Sequence, residues 1–339
     1  MWRSAKKILG SLVPAVLLSF LVAILVCRLN QWDLVVPLTL IPFWVWGSLG
    51  TLSSVVSWLT FRNAASFAAF AIWILATVGL SEETIGIARE LRYALRTEKP
   101  ASRFDRDRGV LRLVTLHCCE RNETAARESL SLAPDIVFLQ GTPSEDQLEE
   151  ISTELFGLDG ITARSETGAI IARGKFVTQS SPGEPGAVHA RLRLPDGDLL
   201  DLSNVNFDRT LPSWRLWSAD VWDDLTLQRK GHRKQIRRYL GDYGNGEAYP
   251  PRFVAGHFGT PPGDDIFRPL ARAGLRDAYR LRGKDWGNTY PPGYPVYRID
   301  QVWASPEIEV IALRTRFSDQ TPHRIVICDF RLRAEPEEP

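Results

Sequence analysis

The chain has 339 residues, 41 Lys plus Arg against 40 Asp plus Glu, and a formal net charge of +1. That balance excludes a field that would draw polyanions to the whole molecule, so nucleic acid is not an expected partner. Four cysteines do not make a disulfide framework, and the length leaves room for one large domain plus an accessory region.

Charge is nearly absent from the first eighty residues. Residues 8–27 form an uncharged apolar run of about 20 residues, long enough to span a bilayer as a helix. Residues 34–61 are a second run, with Trp44, Trp46 and Trp58 near the interfaces and with Pro37 and Pro42 predicting a late start or a kink. Residues 63–80 are a third. A buried soluble helix explains one such run and a cleaved signal peptide explains the first, but three in tandem predict a membrane region over residues 1–80 with three transmembrane helices. Arg3, Lys6 and Lys7 favour a cytoplasmic N-terminus, which after three spans puts the remainder outside the cytoplasm; Arg89, Arg92, Arg96 and Lys99 pull the other way. With the first helix dominating, an integral membrane protein with an extracytoplasmic soluble domain is expected.

Residues 81–97 read as an amphipathic helix, capped by Ser81 with Glu82 and Glu83 and striped by Ile85, Ala88, Leu91 and Leu95. A polar tether to Gly109 completes a linker over residues 81–109. From Val110 short β-rich runs alternate with turns: residues 111–116, 136–139, 169–172, 187–194, 199–205, 253–255, 299–303 and 325–332 read as strands, with Asp196-Gly197 as a hairpin turn. Residues 123–132, 143–155, 220–240 and 266–273 read as helices. The acidic tail, residues 334–339, reads as flexible. Cys27, Cys118, Cys119 and Cys328 read as small apolar residues ahead of a redox or metal role, the adjacent pair facing opposite sides of a strand.

Five ordered segments carry a resemblance: Leu111-Arg-Leu-Val-Thr-Leu-His117, Pro134-Asp-Ile-Val-Phe-Leu-Gln-Gly141, Phe253-Val-Ala-Gly-His-Phe-Gly-Thr260, Arg298-Ile-Asp-Gln-Val-Trp303 and Ser318-Asp-Gln320. Together they resemble the endonuclease/exonuclease/phosphatase (DNase I-like) superfamily over residues 110–333. The resemblance implies an α+β fold, a four-layer αββα sandwich, here preceded by the α-helical transmembrane region. It also implies a Mg²⁺-dependent phosphoesterase, whose chemistry needs a hard cation on carboxylate and amide oxygens, an aimed water and donors to the phosphoryl group.

Position by position, most of that chemistry is substituted. His117 stands where the resemblance implies an asparagine near the metal, and Gly141 where it implies the metal-binding glutamate. Asn206 aligns with a histidine, His257 with the water-orienting aspartate, Gly259 with a phosphate-contacting asparagine and Gln320 with the final histidine. Asp300 and Asp319 match. Val114, Ile136, Leu139, Val254, Phe258, Ile299 and Trp303 keep the apolar framework, the pattern of a fold retained without its ancestral reaction.

Two functions stay open. The first is a membrane-anchored pseudoenzyme, a binding or scaffolding module that has lost the Mg²⁺ site and needs no cofactor. The second is a phosphoesterase with a rebuilt site, in which His117, His257 and Asp319 hold Zn²⁺ or Mn²⁺. His323 replaces the lost histidine only if its loop shifts, because strand geometry aims it elsewhere. Asp264 and Asp265 read as a solvated helix start, or else as replacement carboxylates. Arg229, Lys230, His232, Arg233, Lys234, Arg237 and Arg238 read as a solvated helix face or as a contact for anionic lipid, and His189 and His232 as surface residues. Trp214, Trp217 and Trp222 suit packing at the domain edge, the bilayer surface or a protein partner.

Overall fold

The computed structural model describes residues 2–95, 109–179, 187–211, 218–240 and 250–333. Trp214, Trp217, most of the 99–109 tether and the 334–339 tail lie outside the described residues.

Five helices come first: α1 (Trp2–Asn30), α2 (Val36–Leu40), α3 (Phe43–Phe61), α4 (Ala64–Leu80) and α5 (Glu82–Leu95). The second apolar run breaks at Ile41-Pro42, so α3 begins late, as its prolines require. α3 and α4 form a hairpin. Asn63 caps α4 by accepting a hydrogen bond from the Ser66 amide at 2.8 Å. Gly50 lets the Trp73 indole lie against α3, where an added Cβ would sit 2.2 Å from the ring. The bundle turns its apolar residues outward as well as inward: Leu12, Val16, Leu52, Val56, Leu59, Leu75 and Val78 are all exposed. Among the described residues one helix, Lys6–Asn30, is by itself long and apolar enough to cross a membrane, and α4 with α5 passes as a pair bent by 71°.

The remainder is a sandwich. Its strands are β1 (Leu111–His117), β2 (Ile136–Gln140), β3 (Gly160–Arg164), β4 (Gly168–Arg173), β5 (Lys175–Gln179), β6 (Ala187–Arg193), β7 (Leu199–Asn206), β8 (Arg252–His257), β9 (Arg276–Asp277), β10 (Asp300–Ala304), β11 (Ile308–Arg316) and β12 (Ile325–Leu332). The helices are α6 (Glu123–Arg127), α7 (Glu145–Phe156), α8 (Ala219–Leu240), α9 (Arg268–Arg272) and α10 (Ala278–Arg282). One sheet runs β11-β12-β1-β2-β4-β3 and the other β5-β6-β7-β8-β10-β9. Leu113, Phe138, Ile170, Val188, Leu202, Phe253 and Phe330 fill the layer between them. Two further apolar clusters seat helices on the outer faces, giving the four αββα layers.

β11 escapes the sequence pattern because four apolar residues stand in a row, Val310 to Leu313, breaking the two-residue period where a bulge falls between Val310 and Ala312. β3 and β5 are edge strands with mixed burial, and β9 has only two residues.

The helical layer docks on the sandwich through buried charge. Arg229 of α8 is completely buried. It pairs with Asp33 just before α2, with Asp264 at 2.9 Å and with Asp265 at 2.7 Å. Arg233 bridges Asp33 at 2.8 Å and Asp265 at 3.0 Å. Asp264 does start a helical turn, accepting from the Ile266 amide at 2.9 Å, but the start is buried rather than solvated, and both aspartates are counter-charges of α8. The basic run is split: Arg229 and Arg233 are consumed in pairs, while Lys230, Lys234, Arg237 and Arg238 are exposed. On the other side Glu82 of α5 joins Arg280 and Arg298, both at 2.5 Å, and Arg89 donates to the Tyr279 carbonyl at 3.0 Å. Trp44 meets Trp286 edge-on at 5.3 Å.

His232 corrects a surface expectation. It is buried, stacked on Phe207 at 5.0 Å. Burial depresses its pKa to about 4, partly opposed by Asp208 and assisted by His257. Between about pH 4 and 6.5 it is therefore neutral in the folded chain and charged in the unfolded one, so stability falls as pH drops through that window. Replacing His232 with Phe is expected to remove an acid-dependent loss on the order of 3 kcal/mol, read from urea unfolding between those pH values.

Arg229→Met strands the buried Asp264 and is expected to cost about 3 kcal/mol or more, seen as a lowered thermal midpoint of the detergent-solubilised chain. The exposed Lys234→Met should change it by no more than about 0.5 kcal/mol.

Candidate functional site

The parallel pairs β1/β2 and β7/β8 send four strand ends to one rim of the sandwich: His117, Gln140 followed by Gly141, Asn206, and His257. Asp300 opens β10 and lies opposite His257 in the antiparallel β8/β10 ladder. His323 comes from the loop before β12, which pairs with β1. In that loop the Ser318 hydroxyl accepts hydrogen bonds from the amides of Gln320 at 3.1 Å and Thr321 at 3.2 Å, curling the chain so that His323 turns inward.

Asp300 is 2% exposed and organises the cluster. The His257 Nδ1 lies 2.8 Å from one of its oxygens and the His323 Nδ1 lies 2.8 Å from the other. The Thr289 hydroxyl accepts from the Asp300 amide at 3.2 Å. Burial opposes the charge on Asp300, but His323 and His257 outweigh it and hold the carboxyl well below the usual range. The same pairing raises His323 to about 9 against its burial. Burial and the neighbouring imidazoles depress His117 to about 3, and burial depresses His257 despite Asp300. The His117 ring lies 4.5 Å from that of His257 and stacks on that of His323 at 4.6 Å. Tyr290 leans on His323 at 5.1 Å, and the exposed Arg209 lies over the Tyr290 ring at 4.7 Å.

Cys119, which the sequence pattern leaves in the core, belongs to this cluster. The strand stops at His117, and Cys119, Glu120 and Arg121 take positive φ angles of 45°, 40° and 64°. The left-handed turn brings the Cys119 Sγ back to 3.0 Å from the His117 Nδ1, and the Thr321 hydroxyl lies 3.6 Å from the same sulfur. Cys118 and Cys328 are fully buried.

The rebuilt set of His117, His257 and Asp319 is not assembled. Asp319 is exposed, and its amide donates to Glu128 at 3.3 Å. Among the described residues two metal-capable trios occur at the rim: His117, Cys119 and His323, and His257, Asp300 and His323. The expectation that strand geometry aims His323 away from the lost histidine's place is overturned. Asp300 orients two imidazoles, one of them from His323.

The remaining substituted positions have structural roles. Gly141 sits at φ +62°, and a Cβ there would lie 3.3 Å from the Cys119 amide nitrogen. Gly259, at φ +63°, passes so close to Asp208 that a Cβ would lie 2.2 Å from its carbonyl oxygen. The Asn206 amide donates to the Thr167 carbonyl at 3.0 Å. Gln320 is exposed, its carbonyl accepting from Asn122 at 2.8 Å. A hard cation such as Mg²⁺ does not fit these residues. Gly141 brings no ligand, and the one carboxylate in the trios has both oxygens bonded to imidazoles.

No family model matches the chain, and no curated protein matches it. Solved structures do. An endonuclease/exonuclease/phosphatase from Bacteroides vulgatus superposes with a TM-score of 0.50 at 16% identity, covering 66% of this chain and 99% of its own. One from Beutenbergia cavernae gives 0.48 at 17% identity, covering 68% and 73%. A mannosyl-6-phosphatase from Bacteroides thetaiotaomicron gives 0.47 at 15% identity, covering 65% and 99%. At such identities the likeness is one of fold, and with two mixed sheets, flanking helices and the first of these superpositions, the chain from β1 to β12 has the DNase I-like fold of the endonuclease/exonuclease/phosphatase structures.

Proposed function

We propose that the chain is a membrane-anchored member of the endonuclease/exonuclease/phosphatase superfamily that no longer cleaves phosphodiesters with Mg²⁺ and serves as a binding or scaffolding module. The observation that carries this reading is the pair of replaced positions at the rim: Gly141, left-handed and tight against Cys119, brings no ligand, and His257 spends its Nδ1 on Asp300. Loss of one preorganised electrostatic group typically costs about 10²–10³ in rate, and here the metal carboxylate and the water-orienting carboxylate are both replaced. Among the described residues, Arg209 and the imidazoles supply donors at the rim, and the one carboxylate of the metal-capable trios is already bonded on both oxygens, which suits an anionic ligand better than a hard cation.

The full-length chain in detergent, supplied with Mg²⁺ and bis(p-nitrophenyl) phosphate, is expected to show no turnover above that of Asp300→Asn. Mg²⁺-dependent turnover that this substitution abolishes would end the reading. Gly141→Glu should not restore activity, because the position is left-handed and tight against Cys119; the substitution is expected to cost about 1–2 kcal/mol.

Membrane anchoring rests on the exposed apolar surface of α1, α3 and α4, which hydrocarbon covers and water does not. The N-terminus of α1 and the sandwich lie at opposite ends of this bundle: Gly10 meets Asn63 at one end, and Asp33 meets Arg229 at the other. With Arg3, Lys6 and Lys7 held in the cytoplasm, the sandwich is extracytoplasmic. The chain should stay in the membrane pellet through an alkaline carbonate wash, and protease added outside sealed, right-side-out vesicles should reach the sandwich. Release into the wash, or full protection, contradicts the anchoring and the sidedness respectively.

A further inference from the structure

We propose that His117, Cys119 and His323 form a Zn²⁺ site, with Asp300 positioning His323 and a fourth coordination position open to the cleft. This deepens the reading above and rests on it, since a rim that no longer serves a hard cation is available to a softer one.

The donor set comes first. One thiolate with two imidazoles suits Zn²⁺, and hard Mg²⁺ disfavours it. The ligand atoms of the trio lie within 4.8 Å of one another, and the Cys119 Sγ to His117 Nδ1 separation is 3.0 Å. Around a tetrahedral Zn²⁺, neighbouring S and N ligands are about 3.4–3.6 Å apart, so seating the ion asks this close pair to open by well under an ångström. Binding displaces the thiol proton and any proton on the His323 Nε2.

Orientation is already supplied. Asp300 holds the His323 Nδ1 at 2.8 Å, which leaves the other ring nitrogen to join Cys119 in the trio. A carboxylate behind a ligating histidine is the usual means of fixing the tautomer and orientation of such a ligand. The charges also close: the thiolate and the buried Asp300 together balance the dication, so the filled site adds no net charge to a half-buried rim.

The backbone is bent to bring the ligands together. Three successive non-glycine residues, Cys119, Glu120 and Arg121, hold positive φ, each at a cost of about 1–2 kcal/mol. Cross-ties fasten this turn to the His323 loop. Asn122 donates to the Gln320 carbonyl at 2.8 Å, and Thr321 donates to the His117 carbonyl at 2.7 Å. Cys119, His323 and Asp300 also have the order of a nucleophile, a base and its orienting carboxylate. That arrangement leaves His117 only to fasten the turn, its Nδ1 accepting from the Cys119 amide at 3.3 Å and facing the same sulfur, whereas a metal centre uses all three side chains.

The test uses the full-length chain purified in detergent, metal-free and then loaded with Zn²⁺ or Co²⁺ alone. Elemental analysis is expected to find about one Zn²⁺ per chain. The Co²⁺ form should show tetrahedral visible bands and a thiolate-to-cobalt charge-transfer band, lost in Cys119→Ser and kept in Cys118→Ala. Asp300→Asn should weaken Zn²⁺ binding by about 10–100-fold. Zn²⁺ should shield Cys119 from iodoacetamide. The wild-type spectrum decides the matter even if a variant folds poorly: no bound metal, or no charge-transfer band, overturns the proposal. A band that survives Cys119→Ser, or alkylation equally fast with and without Zn²⁺, overturns it as well, the latter in favour of a nucleophilic cysteine. Mg²⁺-dependent phosphodiester turnover would instead remove the earlier reading; a chain with neither turnover nor bound Zn²⁺ removes this one alone.

Discussion

One buried carboxylate holds the rim of the sandwich together. Asp300 lies on β10 in one sheet, and its two oxygens take His257 from the neighbouring strand of that sheet and His323 from the loop that enters β12 of the other. A lone carboxylate so deeply buried would be protonated or destabilising; two imidazole donors keep it ionised, while a threonine holds its backbone amide. The site therefore spans the two sheets by hydrogen bonds to one residue, and the placement of both histidines follows from that residue being retained.

Beneath the rim a second polar contact explains why the framework around lost ligands persists. Gln140 donates to Thr115 at 2.9 Å and to Asn204 at 2.7 Å, and Asn204 donates to the carbonyls of Leu139 and Ala169, both at 2.8 Å. These groups lie between apolar layers, where an unmatched amide costs about 1–3 kcal/mol. The glutamine before Gly141 thus pins one sheet to the other and has a use independent of catalysis. The glutamate that the resemblance implies after it had no such second use.

The sequence carried the strands of the sheet interiors, because their apolar runs are dictated by burial on both faces, and it carried α7 and α8 through their periodicity. It did not carry β11, whose bulge breaks that periodicity. At the site, His117, His257 and Asp300 were legible from their place in retained motifs. Cys119 was not, since extending the strand past His117 hides the left-handed turn that swings its sulfur round. Nor was His323, which reaches Asp300 through a curl made by the Ser318 hydroxyl rather than through strand register. Arg229 looked solvated because its partner Asp33 lies 196 residues away, and a charge pattern along one helix holds no trace of a counter-ion at that separation.

Arg298 stands two residues before Asp300 and is clamped between Asp277, at 2.6 Å, and Glu82 of the helical layer. Glu83, next in line on α5, accepts from Asn288 at 3.2 Å, and Asn288 adjoins the Thr289 that steadies the Asp300 amide. Two short rigid levers thus run from the end of the apolar bundle to the carboxylate at the cleft. The glutamates at the start of α5 are in this way wired to the backbone on either side of Asp300, so losing either one would be felt at the imidazoles although neither touches them.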